Sequence, residues 1–89
     1  MEMSPKQLRW LRAEAHEIDV TVQVGKNGLT EAIMRELDEQ LEKRNLVKVR
    51  LLEPAREDKS RRELGAELAA RVEAFLVEVK GNTVVLYRE

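Results

Sequence analysis

A chain of 89 residues without cysteine can hide roughly 60–65% of its unfolded surface. That is enough for a modest core in one domain over residues 1–89, and too little for a large enclosed active-site cavity. With 43% hydrophobic and 37% charged residues, the chain is apolar enough to fold and stays heavily solvated, which excludes a disordered polymer. The missing cysteines exclude disulfides, thiolate catalysis and cysteine-rich zinc sites, and they fit a reducing compartment, so a cytoplasmic location is expected. The first residues alternate charged and apolar side chains, and no apolar run reaches membrane-spanning length, so neither a secretory signal nor a membrane span is expected.

The formal net charge of −1 is unusual for a nucleic-acid binder, but the charge is unevenly spread. Over residues 1–12, Lys6, Arg9 and Arg12 stand against Glu2 alone. Over residues 31–45, Glu31, Glu36, Asp38, Glu39 and Glu42 outnumber Arg35, Lys43 and Arg44. A near-neutral molecule with one attractive face is therefore expected.

Ser4-Pro5-Lys6-Gln7 reads as a helix start, with Ser4 as N-cap, Pro5 at the first helical position and Gln7 returning a capping-box bond. The helix should run to about His16. Leu8, Leu11 and Ala15 share its apolar face, and Lys6, Arg9 and Arg12 spread over the opposite side. Trp10 lies beside the apolar stripe and either packs on a sheet edge, the preferred reading, or stacks on a base. His16 has no partner at ligand or triad spacing and reads as a polar residue closing the helix.

Val20 to Val24 alternates strictly and reads as a strand with Val20, Val22 and Val24 inward. Gly25-Lys26-Asn27-Gly28 follows. Two glycines three apart permit positive φ and leave the backbone open to close approach, while Lys26 adds charge and Asn27 amide donors. The next helix begins at Thr30, so free N–H groups at its start favour an anion nearby. A plain glycine-bracketed turn would have the same composition, and on the tetrapeptide alone it is the preferred reading, glycine and asparagine being the default turn residues.

Thr30 caps the second helix, with Leu29 packing on Met34 as a hydrophobic staple and Ile33, Met34, Leu37 and Leu41 as the buried stripe. That helix ends near Arg44, with Asn45 as a left-handed C-terminal residue. Leu46 to Leu52 is a second strand with Val47, Val49 and Leu51 on one side and Lys48 and Arg50 on the other. Glu53 to Lys59 is a loop. Ser60 and Glu63 form a second capping box, opening a third helix with Leu64, Leu68 and Val72 inward and Gly65 a weak point in its middle. Ala74 to Lys80 is a third strand with Phe75, Val77 and Val79 on one face. Gly81-Asn82 is a two-residue hairpin turn, and Thr83 to Arg88 is a fourth strand, apolar on both faces and so interior to the sheet.

The order α-β-α-β-α-β-β predicts a small α/β domain with three helices on a four-stranded mixed sheet ending in an antiparallel hairpin. The patterns leave open which sheet face each helix covers. No nucleophile-base-orienter set and no metal-ligand cluster occurs, so no enzyme, metal or cofactor is expected.

Several stretches together carry a family resemblance: Ser4-x-x-Gln7, Leu11-Arg12, Ala15-His16, Val22 to Thr30 with its central Gly-Lys-Asn-Gly, Leu46 to Arg50, and Gly81-x-Thr-x-Val-Leu-Tyr-Arg88. In order and spacing they resemble the CRM domain, the chloroplast RNA splicing and ribosome maturation module, in its stand-alone bacterial YhbY-like form. The resemblance covers nearly the whole chain. It implies a fold similar to the C-terminal domain of bacterial translation initiation factor three. It also implies RNA binding, association with precursors of the large ribosomal subunit and a role in ribosome maturation.

Carried over from that family, the RNA contacts fall on Gly25, Lys26, Asn27 and Gly28, with Lys6, Arg9 and Arg12 of the first helix as neighbours. Lys48 and Arg50 either extend this surface or form a solvated edge paired with the acids of the second helix. The chain departs from the family pattern at Asp19, where lysine is usual, and at Glu14, where an apolar residue is common. Weaker binding to isolated RNA is expected from the lost positive charge. A monomer is expected. The competing expectation is a protein-interaction module that docks a basic ribosomal protein or assembly factor on the acidic second helix.

Overall fold

A computed structural model describes residues 3–25, 27–52 and 60–89. The expected loop from Glu53 to Lys59, together with Met1, Glu2 and Lys26, lies outside the described residues. The elements follow the predicted order: α1 Pro5–Ala15, β1 Val20–Val24, α2 Glu31–Arg44, β2 Leu46–Leu51, α3 Arg61–Arg71, β3 Phe75–Lys80 and β4 Thr83–Tyr87. Among the described residues no helix is long and apolar enough to cross a membrane.

The helix starts form as their sequences dictate. Ser4 and Gln7 exchange reciprocal bonds, the Gln7 amide donating to Ser4 Oγ at 3.1 Å and the Ser4 amide to Gln7 Oε1 at 2.9 Å. Ser60 and Glu63 repeat the arrangement at 3.1 Å each way, and Thr30 Oγ1 accepts from the Ile33 amide at 3.2 Å. Each such cap satisfies a backbone donor that has no partner within the helix. Ser4→Ala is therefore expected to cost about 1 kcal/mol, lowering the thermal midpoint by roughly 4–8 °C in a melt followed by circular dichroism.

The strands lie in the order β1-β2-β4-β3, with β1 and β2 parallel and both contacts of β4 antiparallel. The last strand in sequence is thus interior, as its two apolar faces predicted. The crossovers from β1 to β2 and from β2 to β3 move in the same direction across the sheet. A common hand then puts both connecting helices on one face. There α2 and α3 bury Leu37, Leu41, Leu64, Leu68 and Val72 against Val22, Val24, Val47, Val49, Val84 and Leu86. Helix α1 stands alone on the other face, where Leu11 and Ala15 cover Val77 and Val85, flanked by Leu8, Leu46 and Tyr87.

Expectations at β1, β3 and α3 need correction. Val20 does not share a face with Val22 and Val24: the β1 register shifts between Val20 and Val22, and Val20 pairs with Lys48, which reaches the α1 side. Phe75, Val77 and Val79 do not share a face: a bulge shifts the β3 register between Leu76 and Glu78, so Val77 packs under α1 while Leu76 and Val79 join the opposite core. One extra residue reverses the alternation beyond it. Gly65 is no mere weak point in α3. It is buried, and a Cβ there would meet Val84 Cγ1 at 3.1 Å and Leu76 Cδ1 at 3.2 Å, so glycine lets the helix approach the sheet closely.

Both positive-φ turn expectations hold, at Asn45 with φ 66° and at Gly81 with φ 59°. Asn45 does more than end α2. Its Nδ2 donates to the Arg88 carbonyl at 2.8 Å, and its own carbonyl accepts from the Arg88 amide at 2.9 Å.

Candidate nucleic-acid interface

The glycine tetrapeptide caps the C-terminal end of β1, held beside β2 by the Leu52 amide, which donates to the Val24 carbonyl at 2.8 Å. The Gly28 amide donates to the Gly25 carbonyl at 3.0 Å, and the Gly28 carbonyl accepts from Thr30 at 3.0 Å. Gly28 is buried and adopts φ 74°. Its glycine is therefore required by the fold, and its N–H is already spent inside the turn. Gly25 differs: it is not among the positive-φ glycines, and a Cβ there would meet nothing within 4 Å. Its missing side chain serves no internal packing and leaves the turn open to an approaching molecule.

Asn27 is exposed, while Lys26 lies outside the described residues. The first-turn N–H groups of Glu31 and Ala32 have no acceptor within the helix, since Thr30 Oγ1 is taken by Ile33. On the far side of the turn, Arg71 of α3 donates from Nη1 to the Leu29 carbonyl at 3.4 Å.

The basic residues of α1 stand elsewhere. The helix lies over the half of the sheet marked by Leu46 and Tyr87, and Gln7 and Trp10 share a cleft with Phe75 and Tyr87. Lys6 and Arg9, in its first two turns, are exposed toward that end. The glycine turn is at the other end of β1, whose five residues span roughly 13 Å from first to last Cα. The expected convergence of basic helix and glycine turn at one end of β1 is thus corrected. Arg12 is moreover engaged within the fold. Its Nε donates to the Val77 carbonyl at 3.3 Å, at the bulge that interrupts the β3 ladder.

A different basic surface adjoins the turn. Gln23 pairs with Arg50, Arg50 with Thr83, and Thr83 with Lys80, forming one row across all four strands. Their neighbours Val24, Leu51, Val84 and Val79 all pack toward α2 and α3, so the row faces the α1 side, beyond the half that α1 covers. Gln23, Arg50 and Lys80 are exposed, and among the described residues neither Arg50 nor Lys80 has an ion-pair partner. The row meets the glycine turn at one edge and the Gly81-Asn82 hairpin at the other, where the Leu51 amide donates to the Asn82 carbonyl at 2.7 Å. Arg50 was legible as an outward residue of its strand. Lys80 was missed because its place beside Arg50 depends on the strand order and on the bulge, neither of which a single strand displays.

Lys48, two residues before Arg50, is half-buried and donates from Nζ to the Ala15 carbonyl at 3.2 Å, closing the C-terminus of α1. It thus pairs with a helix end, not with the acids of α2. Among those acids Asp38 is also committed, accepting from Arg88 Nη1 at 2.7 Å. Trp10 departs from the preferred packing reading: 62% of its surface is exposed. Among the described residues no group of three His, Asp or Glu side chains converges to hold a metal ion.

The sequence compares with known proteins along nearly its whole length. It is 38% identical over 87 residues to the Bacillus subtilis "Probable RNA-binding protein YqeI", covering 98% of this chain and 88% of the relative. It is 36% identical to the Methanocaldococcus jannaschii "Probable RNA-binding protein MJ0652", of which it spans 64%. Among solved structures, that of the hypothetical protein SAV1595 from Staphylococcus aureus superposes with a TM-score of 0.82 at 40% identity, over 99% of this chain and 90% of that one. The family model described as the CRS1 / YhbY (CRM) domain matches residues 3–88, and it is to this family of domains that the chain belongs.

Proposed function

We propose that the protein binds RNA by its sugar-phosphate backbone, using the glycine turn and the Gln23-Arg50-Thr83-Lys80 row as one continuous surface. The carrying observation is that row: two exposed cations on a sheet face left uncovered by α1, in register with each other and bordering a turn whose Gly25 has no packing reason to be glycine. Relatives named as RNA-binding proteins support the same ligand class.

Because the Gly28 amide is committed to the turn, a phosphate at this end is met by the Lys26 and Asn27 side chains and the first-turn amides of α2. The role resembles that of the Gly-x-x-Gly loop in KH domains. In cells the RNA is that of large-subunit precursors and the protein serves ribosome assembly in the cytoplasm, acting without catalysis. Lys6 and Arg9 contribute at long range, from the opposite end of the sheet.

Replacing Lys26 and Asn27 with aspartate is expected to weaken binding to ribosomal precursor RNA about fivefold to tenfold, at roughly 1 kcal/mol or slightly more for one exposed charged contact. Filter binding at moderate salt measures it, with circular dichroism as the check on the fold. Undiminished affinity would remove the turn from the interface. Crosslinking in cells tests the assembly role: fragments enriched in large-subunit precursor RNA are expected, and a spread over messenger RNA would sink it.

A further inference from the structure

Glu14 and Asp19, two exposed carboxylates away from the basic row, line the same groove. It lies between α1, the connection into β1 and the start of β2, and has a volume of about 400 Å³, within the usual range of about 300–1,000 Å³ for small-ligand sites. Trp10 and Tyr87 supply aromatic surface, Glu14 and Asp19 supply carboxylates, and Arg44, Lys48, Asn45 and Thr21 complete the polar lining. Thr21 is the extra residue of the β1 bulge, and its hydroxyl oxygen is buried with no hydrogen-bond partner among the described residues.

This combination suits neither a phosphate nor an apolar peptide. Two carboxylates offset the charge of Arg44 and of Lys48, which already donates to the Ala15 carbonyl, so the groove is no basic phosphate site, and its charged lining is costly for a purely apolar group to seal. The carboxylates are acceptors only, so they select a ligand edge made of donors. An exposed indole at the same mouth offers a stacking plane, and tryptophan is a strong partner for an unstacked base. Guanine alone of the four bases presents two adjacent donors, N1–H and N2–H, on its Watson-Crick edge, matching the two oxygens of one carboxylate. Uracil places carbonyl oxygens on either side of its single N–H, and these would face the carboxylates unfavourably.

We propose that this groove takes an unpaired guanine base of single-stranded RNA, stacked on Trp10 with its Watson-Crick edge on the carboxylates of Glu14 and Asp19. The assignment rests on the RNA-binding reading above and adds base selection to it. The route is continuous, because Lys48 lines the groove and lies on the same face of β2 as Arg50, about 6.7 Å away along the strand. A strand whose phosphates follow the basic row therefore passes the groove mouth.

Trp10 is the only tryptophan of the chain, so its fluorescence reports this one side chain, and variants of Glu14 and Asp19 assign a change to this groove as opposed to the cleft with Phe75. The probes are six-nucleotide uracil RNAs carrying a central guanine, adenine or abasic site, and free guanosine monophosphate. Strong quenching is expected with the guanine probe, at about tenfold tighter affinity than with the adenine probe, the lower end expected of one good bidentate base contact. The abasic probe should bind without quenching. Glu14→Gln combined with Asp19→Asn is expected to erase the guanine preference while leaving abasic-probe affinity equal or higher. Both residues are exposed, and circular dichroism verifies that the fold survives.

Equal quenching by the abasic probe, or a guanine preference that persists in the double variant, would overturn the assignment. So would quenching that depends on protein concentration without RNA, which would place a second copy in the groove. Free guanosine monophosphate separates this inference from the backbone reading. Its quenching should persist when Lys26 and Asn27 are aspartate, so a failed turn and a failed groove leave different signatures.

Discussion

Replacing Arg50 and Lys80 together with alanine is expected to weaken RNA binding by about tenfold to thirtyfold at low salt. Each side chain is exposed at the centre or edge of the row, and an exposed ionic contact contributes up to about 1 kcal/mol, so two approach a thirtyfold change in affinity. The loss should be uniform across RNA sequences, because phosphate contacts carry no base information. The more discriminating readout is the salt dependence. Two contacts fewer should flatten the plot of log affinity against log salt by about 1.4. Thermal stability should stay within about 0.5 kcal/mol, as for most exposed positions. An unchanged slope would remove the row from the interface, and a larger loss from Lys6→Ala with Arg9→Ala would move the RNA track onto α1.

Arg88→Ala is expected to destabilise the fold by about 2–3 kcal/mol, given that hydrogen bonds of charged groups contribute about 1.5–3 kcal/mol each and are rarely additive. The guanidinium joins three elements. Its Nη1 donates to Asp38 Oδ1 at 2.7 Å and to the Val72 carbonyl at 2.8 Å, and its Nη2 donates to the Asp38 carbonyl at 3.0 Å. Val72 ends α3 and Asp38 is in the middle of α2, so one side chain following β4 ties together the two helices on that face. Truncation leaves two backbone carbonyls to find water instead. A fall of roughly 10–20 °C in the thermal midpoint follows for a chain of this size. Asp38→Asn should cost far less, since its carboxylate is half exposed and its backbone carbonyl still accepts. Equal midpoints for Arg88→Ala and the parent would show the latch to be dispensable.

That latch marks a limit of what the sequence displays. Arg88 reads in the sequence only as the end of the fourth strand, and its three acceptors on α2 and α3 are visible only in the fold. Local features were legible: the caps at Ser4, Thr30 and Ser60, the turn at Gly81 and the positive φ of Asn45 all depend on residues within a few positions of each other. The element order followed from alternation and helical period. The partition of helices between faces did not, because it depends on the strand order, and that order turns on the pairing of β2 with β4 between residues 33 to 41 apart, such as Val49 with Val84. The candidate site divides the same way. Gly25 to Gly28 stood out as a contiguous motif, whereas Arg50 and Lys80 become neighbours only through the interposed Thr83.

The placement of β4 also has a bearing on how the molecule comes into being. It is made last of the four strands, and it alone joins β2 to β3. Until residues 83–87 have been synthesised, the earlier elements amount to a parallel pair and an unattached strand, with Leu64, Leu68 and Leu76 lacking the Val84 and Leu86 wall they bury. Completion of the sheet is thus a late step in folding, since it waits for β4 to dock between β2 and β3. A chain lacking this strand would offer bare strand edges on both sides of the gap, which makes completion of the hairpin the step that separates an aggregation-prone intermediate from the closed four-stranded sheet.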